Sequence, residues 1–400
     1  MILTGGTLVD ASGERVGDLV IDGDRIGTDA SGQETIDARG KIILPGIVDL
    51  GVFVVERGAS AAGGITRVAL MPDQSPPLDD PGLVQRAALA AKPALWVHPL
   101  AAATKGLNGT ELAEYALMAR AGAKAVATGR QWIGDSGVMH RVMTYAASLG
   151  LTVIAHAEDG GMTGNAVATA GETATLYGLP AASAAAEAMA VARDLALVEQ
   201  TGARLHFRQI TTARAFDLVR DAKRRGLPVT CGIAPTHLLL SDIAVGDYRT
   251  FARLSPPLRA DADRRASLEA LRDGTIDVLC SAHDPRAPEA KRLPFADAEP
   301  GASGAEVLMT LALGLVRDGV IDLPRLAALT SANPAAILGI DCGRLDAGAP
   351  ADLVMVDIDT PWRIDGTRFA SAAGNTPFDG LPVQGKVVRT IKGGRTIFPL

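Results

Sequence analysis

Eight short apolar runs separated by helical stretches, with glycine-punctuated strands at both termini, predict an α/β chain. Its fold class is a (β/α)8 TIM-type barrel with a small β-sandwich domain built from both termini. The small domain takes 1–45 plus 340–400, and the barrel takes 46–339. At the N-terminal end, strands are expected over Ile2–Val9, Asp18–Ile21, Arg25–Gly27 and Lys41–Leu44. The C-terminal end repeats that style with Asp352–Val356, Lys386–Ile391 and Arg395–Phe398, the last two separated by Gly393-Gly394. The barrel strands are the apolar runs Ile47–Val54, Ile65–Met71, Ala94–Pro99, Ala123–Ala127, Leu151–His156, Arg204–Gln209, Pro228–Ile233 and Ile276–Ser281. Between them lie helical patterns such as Glu111–Arg120, Ala181–Gln200 and Thr212–Arg225. The Ala-rich run Ala181–Ala192 reads as a packed helix face. The first crossover departs from the pattern. Val55–Gly64 is too short for an ordinary crossover helix and contains Gly58, Gly63 and Gly64.

Composition excludes several classes of function. The chain has 400 residues, 48% hydrophobic and 21% charged, enough for a real core and far from a disordered composition. A net charge of -6 and scattered Lys and Arg argue against a nucleic-acid binder. The three cysteines, Cys231, Cys280 and Cys342, are far apart and form no CxxC pair. They fit a reducing cytoplasm, with Cys231 and Cys280 as small core hydrophobes. No apolar window reaches the length of a membrane span, and Met1–Gly6 has no signal-peptide character. A soluble cytoplasmic chain with no membrane or nucleic-acid partner is expected.

In a (β/α)8 barrel the chemistry belongs to side chains at the C-terminal ends of the strands. Those positions here hold Gly51 and Phe53, then Asp73, His98, Thr128 with Gly129, and His156 with Glu158 and Asp159. The last three strands supply Gln209, Gly232 and Ala282-His283-Asp284. A hydrolytic zinc site needs about three protein ligands and an open position for water. His156 is a good candidate, with His283 or Asp284 as weaker ones. The first strand, a natural place for His-x-His, supplies glycine and phenylalanine. Phe53 predicts a drier, more filled pocket. Asp49, inside a buried strand, is expected to be satisfied by hydrogen-bond donors, and His98 and His237 to bond locally.

Ten segments in order resemble those of dihydroorotases of the amidohydrolase superfamily. They run from Leu44-Pro45-Gly46-Ile47-Val48-Asp49-Leu50, through Ala62–Thr66 with Met71-Pro72, to Thr104-Lys105-Gly106-Leu107 and His156-Ala157-Glu158-Asp159. Pro235–Leu240, Pro256-Pro257-Leu258-Arg259 and Asp273–Asp277 follow. Asn333–Gly339, Gly348–Leu353 and Asn375-Thr376-Pro377-Phe378 complete the series. The resemblance implies two first-strand histidines at Gly51 and Phe53, a substrate arginine at Val55 and a substrate asparagine at Asp73. It implies a bridging aspartate at Thr128 or Gly129, and histidines at His156 and Gln209. An asparagine is implied at Ser255, and the essential aspartate, base and metal ligand, at Ala282 beside His283. Of these ligand positions only His156 keeps its residue type.

What the resemblance then implies is a dihydroorotase homologue with a degenerate metal site and no expected catalytic residue, metal or cofactor. Such non-catalytic members of the family associate with aspartate carbamoyltransferase in de novo pyrimidine biosynthesis, and barrels of the family commonly form homodimers. The alternative is an active zinc-dependent cyclic amidohydrolase with a rebuilt site of Lys124, His156, His283 and Asp284. In that reading Lys124 would be carboxylated; otherwise it is expected to pair with an acid such as Asp159. A third reading makes the chain a small-molecule sensor using the degenerate pocket.

Overall fold

The computed structural model describes residues 1–29 and 34–399. The stretch 30–33 and Leu400, both inside the expected small domain, lie outside the described residues. Eight parallel strands follow one another around a barrel: Ile47–Val52, Ile65–Leu70, Trp96–Ala102, Ala125–Ala127, Thr152–Ala155, Leu205–Phe207, Val229–Ile233 and Val278–Leu279. Each pairs with the next in sequence, as right-handed βα crossovers require. These are the predicted runs, trimmed by one to three residues at most ends, with the third shifted two to three residues toward the C-terminus. The shift carries His98 toward the start of its strand, away from the end where it was expected.

Side chains of Val48, Leu50, Ala69, Leu100, Ala127 and Ile154 fill the lumen, and Ala335 and Leu338 join that cluster from the helix Asn333–Leu338. Alternate positions, Ile47, Val68, Val126 and Val153 among them, face the surrounding helices. Helices cover Ala185–Thr201 and Ala213–Arg224 close to expectation. The one expected over Glu111–Arg120 begins only at Tyr115, because Thr104 bridges Leu112 and turns the intervening chain into a loop. The short first crossover holds a six-residue helix, Arg57–Ala62. A Cβ on Gly63 would meet the Ala305 carbonyl oxygen at 2.1 Å, so only glycine lets that helix close on its neighbour.

Between the eighth strand and the first, the described residues show no strand pairing, and a carboxylate closes that seam instead. Asp49, fully buried on strand one, accepts hydrogen bonds from the Ser281 backbone N–H at 2.8 Å and from the Ser281 hydroxyl. The Phe53 N–H donates to the His283 carbonyl just beyond. Strands from both chain ends meet in a second eight-stranded sheet, ordered Arg395–Pro399, Pro382–Lys392, Leu353–Arg363, Ile42–Pro45, Ile2–Asp10, Gly13–Asp22 and Arg25–Gly27, with Thr35–Asp37 on Ile2–Asp10. It wraps a core in which Leu19, Ile21 and Ile26 from one end meet Ile391 from the other.

Replacing Asp49 by alanine leaves a buried N–H and hydroxyl without acceptors, each worth roughly 1–3 kcal/mol. Asp49→Ala is expected to lower stability by about 2–4 kcal/mol in urea unfolding, and Ser281→Ala by less.

Candidate active site

The barrel mouth is organised by a glycine that makes room for an arginine. Gly51, next to the last residue of strand one, has φ +99°, a conformation that L side chains rarely adopt. A Cβ there would lie 3.2 Å from both Cγ and Cδ of Arg208. Arg208 follows strand six and is 3% exposed. Its stem passes over Gly51, and its guanidinium carbon stands 5.1 Å from the centre of the Phe53 ring. Arg130, from the loop after strand four, covers the same ring at 3.7 Å. A Phe ring with two guanidinium groups therefore occupies the region where the resemblance implies first-strand metal ligands.

The surviving His156 is turned to other partners. Its Nδ1 faces an Arg208 amino group at 3.4 Å, and its Nε2 stands 3.7 Å from Glu158 Oε2. Glu158 in turn accepts from Arg259 at 2.7 Å. Burial opposes the charge on Glu158, but the His156 and Arg259 contacts outweigh it and hold its pKa at about 2. Arg259 also donates to Thr211 and Thr169 and reaches Glu187, so its charge is fully satisfied. Gln209 donates through Nε2 to His237 Nδ1 at 2.7 Å, while His237 Nε2 meets the Pro256 carbonyl. Thr128 accepts from the His156 N–H, and Asp73 from the Arg130 N–H.

The rebuilt metal set does not come together. Lys124 directly precedes strand four, so it lies at the opposite end of the barrel, where its charge acts on His98 beside Arg67. Its expected partner Asp159 caps the helix Gly160–Thr163 at the mouth. His283 turns away from the cavity: Nε2 meets Glu56 at 3.0 Å, and Nδ1 accepts from the N–H groups of Gly304 and Ala305. Burial disfavours charge on Glu56, yet the bonds from His283, Ser371 and Ala372 bring its pKa to about 2. Asp284 is held by Arg130 in two hydrogen bonds, 2.5 and 2.9 Å, and by Arg286 at 2.8 Å. Val55 packs on the outer barrel core. Ala282, at the position of the implied essential aspartate, has φ +48°. Ser255 lines the mouth beside Ala282.

Among the described residues, no group of three or more His, Cys, Asp or Glu converges to hold a metal. Zinc needs about three such ligands, and the one histidine in place already faces a cation, so these residues do not fit a zinc ion. Sequence reasoning missed Arg208, Arg130, Glu56 and Glu187. The signal for Arg208 was a charged residue beside a stretch, Leu205–Phe207, that reads as a buried barrel strand. Arg130 and Glu56 lie in loops and had none.

Residues 59–397 match the profile of the amidohydrolase family. The chain belongs to that family. It is 38% identical to a protein named dihydroorotase from Pelotomaculum thermopropionicum, covering 99% of this chain and 98% of the relative. It is 37% identical to a dihydroorotase-like protein from Pseudomonas aeruginosa, covering 98% of each. Among solved structures, an L-hydantoinase from Arthrobacter aurescens superposes with a TM-score of 0.88 at 24% identity, over 100% of this chain and 96% of that one. The fold is thus that of the family's TIM-type barrels, and the chain is a dihydroorotase-like amidohydrolase. Among the described residues no helix is long and apolar enough to cross a membrane.

Two outcomes follow from this geometry. Gly51→Ala forces a side chain into a left-handed backbone against Arg208 and is expected to cost about 1–2 kcal/mol in chemical unfolding. Burial is the main cause that lowers the pKa of three histidines: His98 and His206 to about 3 and His237 to about 4. They stay neutral in the fold and gain protons when unfolded below pH 6.5, so their stabilisation is complete above that pH and lost as pH falls. Between pH 7.5 and 5.5 urea unfolding is expected to lose roughly 1.4 kcal/mol per histidine, and the further loss below pH 4.5 is expected to shrink but not vanish in Glu158→Gln, because the histidines and Glu56 still titrate there.

Proposed function

We propose that this chain is a non-catalytic dihydroorotase homologue, a structural and regulatory partner of aspartate carbamoyltransferase in de novo pyrimidine biosynthesis in the cytoplasm. The observation that carries the first half is Arg208. A fixed guanidinium beside His156 repels a divalent cation from the one histidine still in place. Without a bound cation there is no acidified water to attack a cyclic amide at neutral pH. Arg130 and Arg286 neutralise Asp284, and His283 is spent on Glu56, so neither is free to serve as a general base in the cavity.

The partner rests on the resemblance to family members that have lost the same histidines. Retention of barrel, terminal sheet and the Asn375–Phe378 segment supports it, because a scaffold needs its fold and its exterior while its ligands are free to drift. Asn375 still ties the mouth together, donating to the Gly301 carbonyl and accepting from the Arg286 N–H.

The test is co-expression with the aspartate carbamoyltransferase of the same organism, followed by size-exclusion chromatography, transferase assays and zinc analysis. Expected are a common elution peak, a transferase rate that rises on adding this chain, well under one zinc per chain and no turnover of dihydroorotate. A stoichiometric zinc with dihydroorotate hydrolysis would return the chain to the active hydrolases. Separate elution with an unchanged transferase rate would remove the partnership.

A further inference from the structure

The end of the barrel opposite the mouth gathers positive charge in a chain whose net charge is -6. The gathering centres on Trp96, the first residue of strand three. Three cations stand around its ring: Lys392 Nζ at 3.6 Å from the centre, the Arg67 guanidinium carbon at 5.4 Å and Lys92 Nζ at 5.9 Å. Two more act on the same group from close by. Lys124, just ahead of strand four, acts on His98 beside Arg67, and Arg395, from the last strand of the terminal sheet, acts on Lys392. The acids here are already taken. Asp352 accepts from Arg67 at 2.5 Å and from the Gly393 N–H at 2.7 Å, and Asp341 is bound to Arg344. Among the described residues no carboxylate lies within ion-pair distance of Lys92, Lys124 or Lys392.

Packing on Trp96 accounts for part of this. Arg67 has its aspartate and Lys392 donates to the Pro93 carbonyl at 2.8 Å, so both are fixed, each 9% exposed. It does not account for Lys124, which is half-buried and has no hydrogen bond or ion pair among the described residues, nor for Lys92, which touches only the ring and is exposed. Burial and the like charges of Arg67, Lys92 and Arg395 oppose the Lys392 ammonium, Asp352 alone favours it, and its pKa is lowered. The Arg67 Nε and the Trp96 Nε1 are buried without a partner. Like charges held together with no counter-charge repel one another, and an anion placed among them relieves that repulsion.

The charge count selects the anion. Three uncompensated lysines exceed what a monocarboxylate can match, whereas a phosphoryl group brings about two negative charges near neutral pH. Lysine ammoniums are compact point charges with three donors each, which suits a tetrahedral oxyanion. Because Arg67 and Lys392 are nearly buried, a small group reaches them where the face of an acidic protein would meet Lys92 and Lys124 alone. We propose that the N-terminal end of the barrel binds a phosphoryl anion, free or as the tail of a nucleotide, held by Lys92, Lys124 and Lys392 beside Trp96. The site lies at the far end of the barrel from the mouth, so it stands whether or not the mouth holds a metal.

The test uses the full chain near neutral pH in a buffer free of phosphate and divalent cations, with sodium chloride at matched ionic strength as control. Thermal shift and titration calorimetry are run with phosphate, pyrophosphate, ATP and a penta-aspartate peptide. Pyrophosphate is expected to raise the melting temperature above the chloride control, and to bind at least ~5-fold more tightly than phosphate. It is also expected to change the tryptophan fluorescence, a change that Trp96→Phe removes. Lys92→Ala and Lys124→Ala are each expected to weaken binding at least ~5-fold. The double variant is expected to abolish it while melting, without ligand, no lower than wild type, because the like charges are gone. Lys386→Ala, which removes a lysine standing over Trp362 elsewhere on the chain, is expected to leave the response unchanged. ATP binding more tightly than pyrophosphate assigns the phosphoryl group to a nucleotide, and the reverse order assigns it to a free anion. No response beyond the chloride control, or an unaltered response in the double variant, would overturn the site. So would binding of the peptide without binding of pyrophosphate, which would make this end a docking surface for an acidic polypeptide.

Discussion

The chemistry of the mouth depends on the close approach of Arg208 to Gly51. The next-to-last residue of strand one has no side chain and a left-handed backbone, and the stem of Arg208 crosses the space that a Cβ would need. Once that guanidinium is in place, the rest of the mouth is arranged around positive charge. His156 presents a ring nitrogen to it, the Phe53 ring lies near it, and Arg130 stands over that same ring while drawing Asp284 to itself. A site that binds a divalent cation gathers anionic and neutral lone pairs at one point. Here Glu158, Glu187 and Asp284 are each drawn to an arginine, and Glu56 to His283. The two designs are electrostatic opposites built on the same barrel.

The second feature of the mouth is how its walls are joined. Asp49 bridges the first and eighth strands through Ser281, so the barrel closes by side chain where the ladder does not. The loop at 301–305 approaches so closely that a Cβ on Gly304 would stand 2.1 Å from the Ser281 carbonyl oxygen. His283, outside the cavity, links that loop to Glu56 on the first crossover. The pair spans the ends of strands eight and one, next to the Asp49 seam. The histidine next to the position of the implied essential aspartate is thus part of the frame of the mouth.

Much of the architecture was legible in the sequence, because strands and helices are written in local periodicity. The apolar runs at Ile65–Met71 and Pro228–Ile233 coincide almost residue for residue with strands, since a strand buried on both faces shows as an unbroken run. Errors arose where a loop borrowed helical spacing, as at Glu111–Glu114, or where an apolar run continued past its expected end, as at Leu100–Ala102. The site was legible only as a list of substitutions. Gly51, Phe53, Gln209 and Ala282 stand at strand ends as expected. Lys124 was placed at the mouth from its neighbourhood in the chain, yet the strand it precedes runs away from it, and it faces the opposite end.

The sequence by itself determined the barrel, the sheet shared by the two termini and the residue types at the strand ends, because each of these follows from patterns spanning a few residues. Only the tertiary structure decided what those residues do. Arg208 meets Gly51, Asp284 meets Arg130, and His283 meets Glu56 across 157, 154 and 227 positions of chain. No local pattern encodes such pairings. They arise when barrel closure brings eight strand ends together, where each buried charge must find a partner or be left, like Arg208, without a carboxylate.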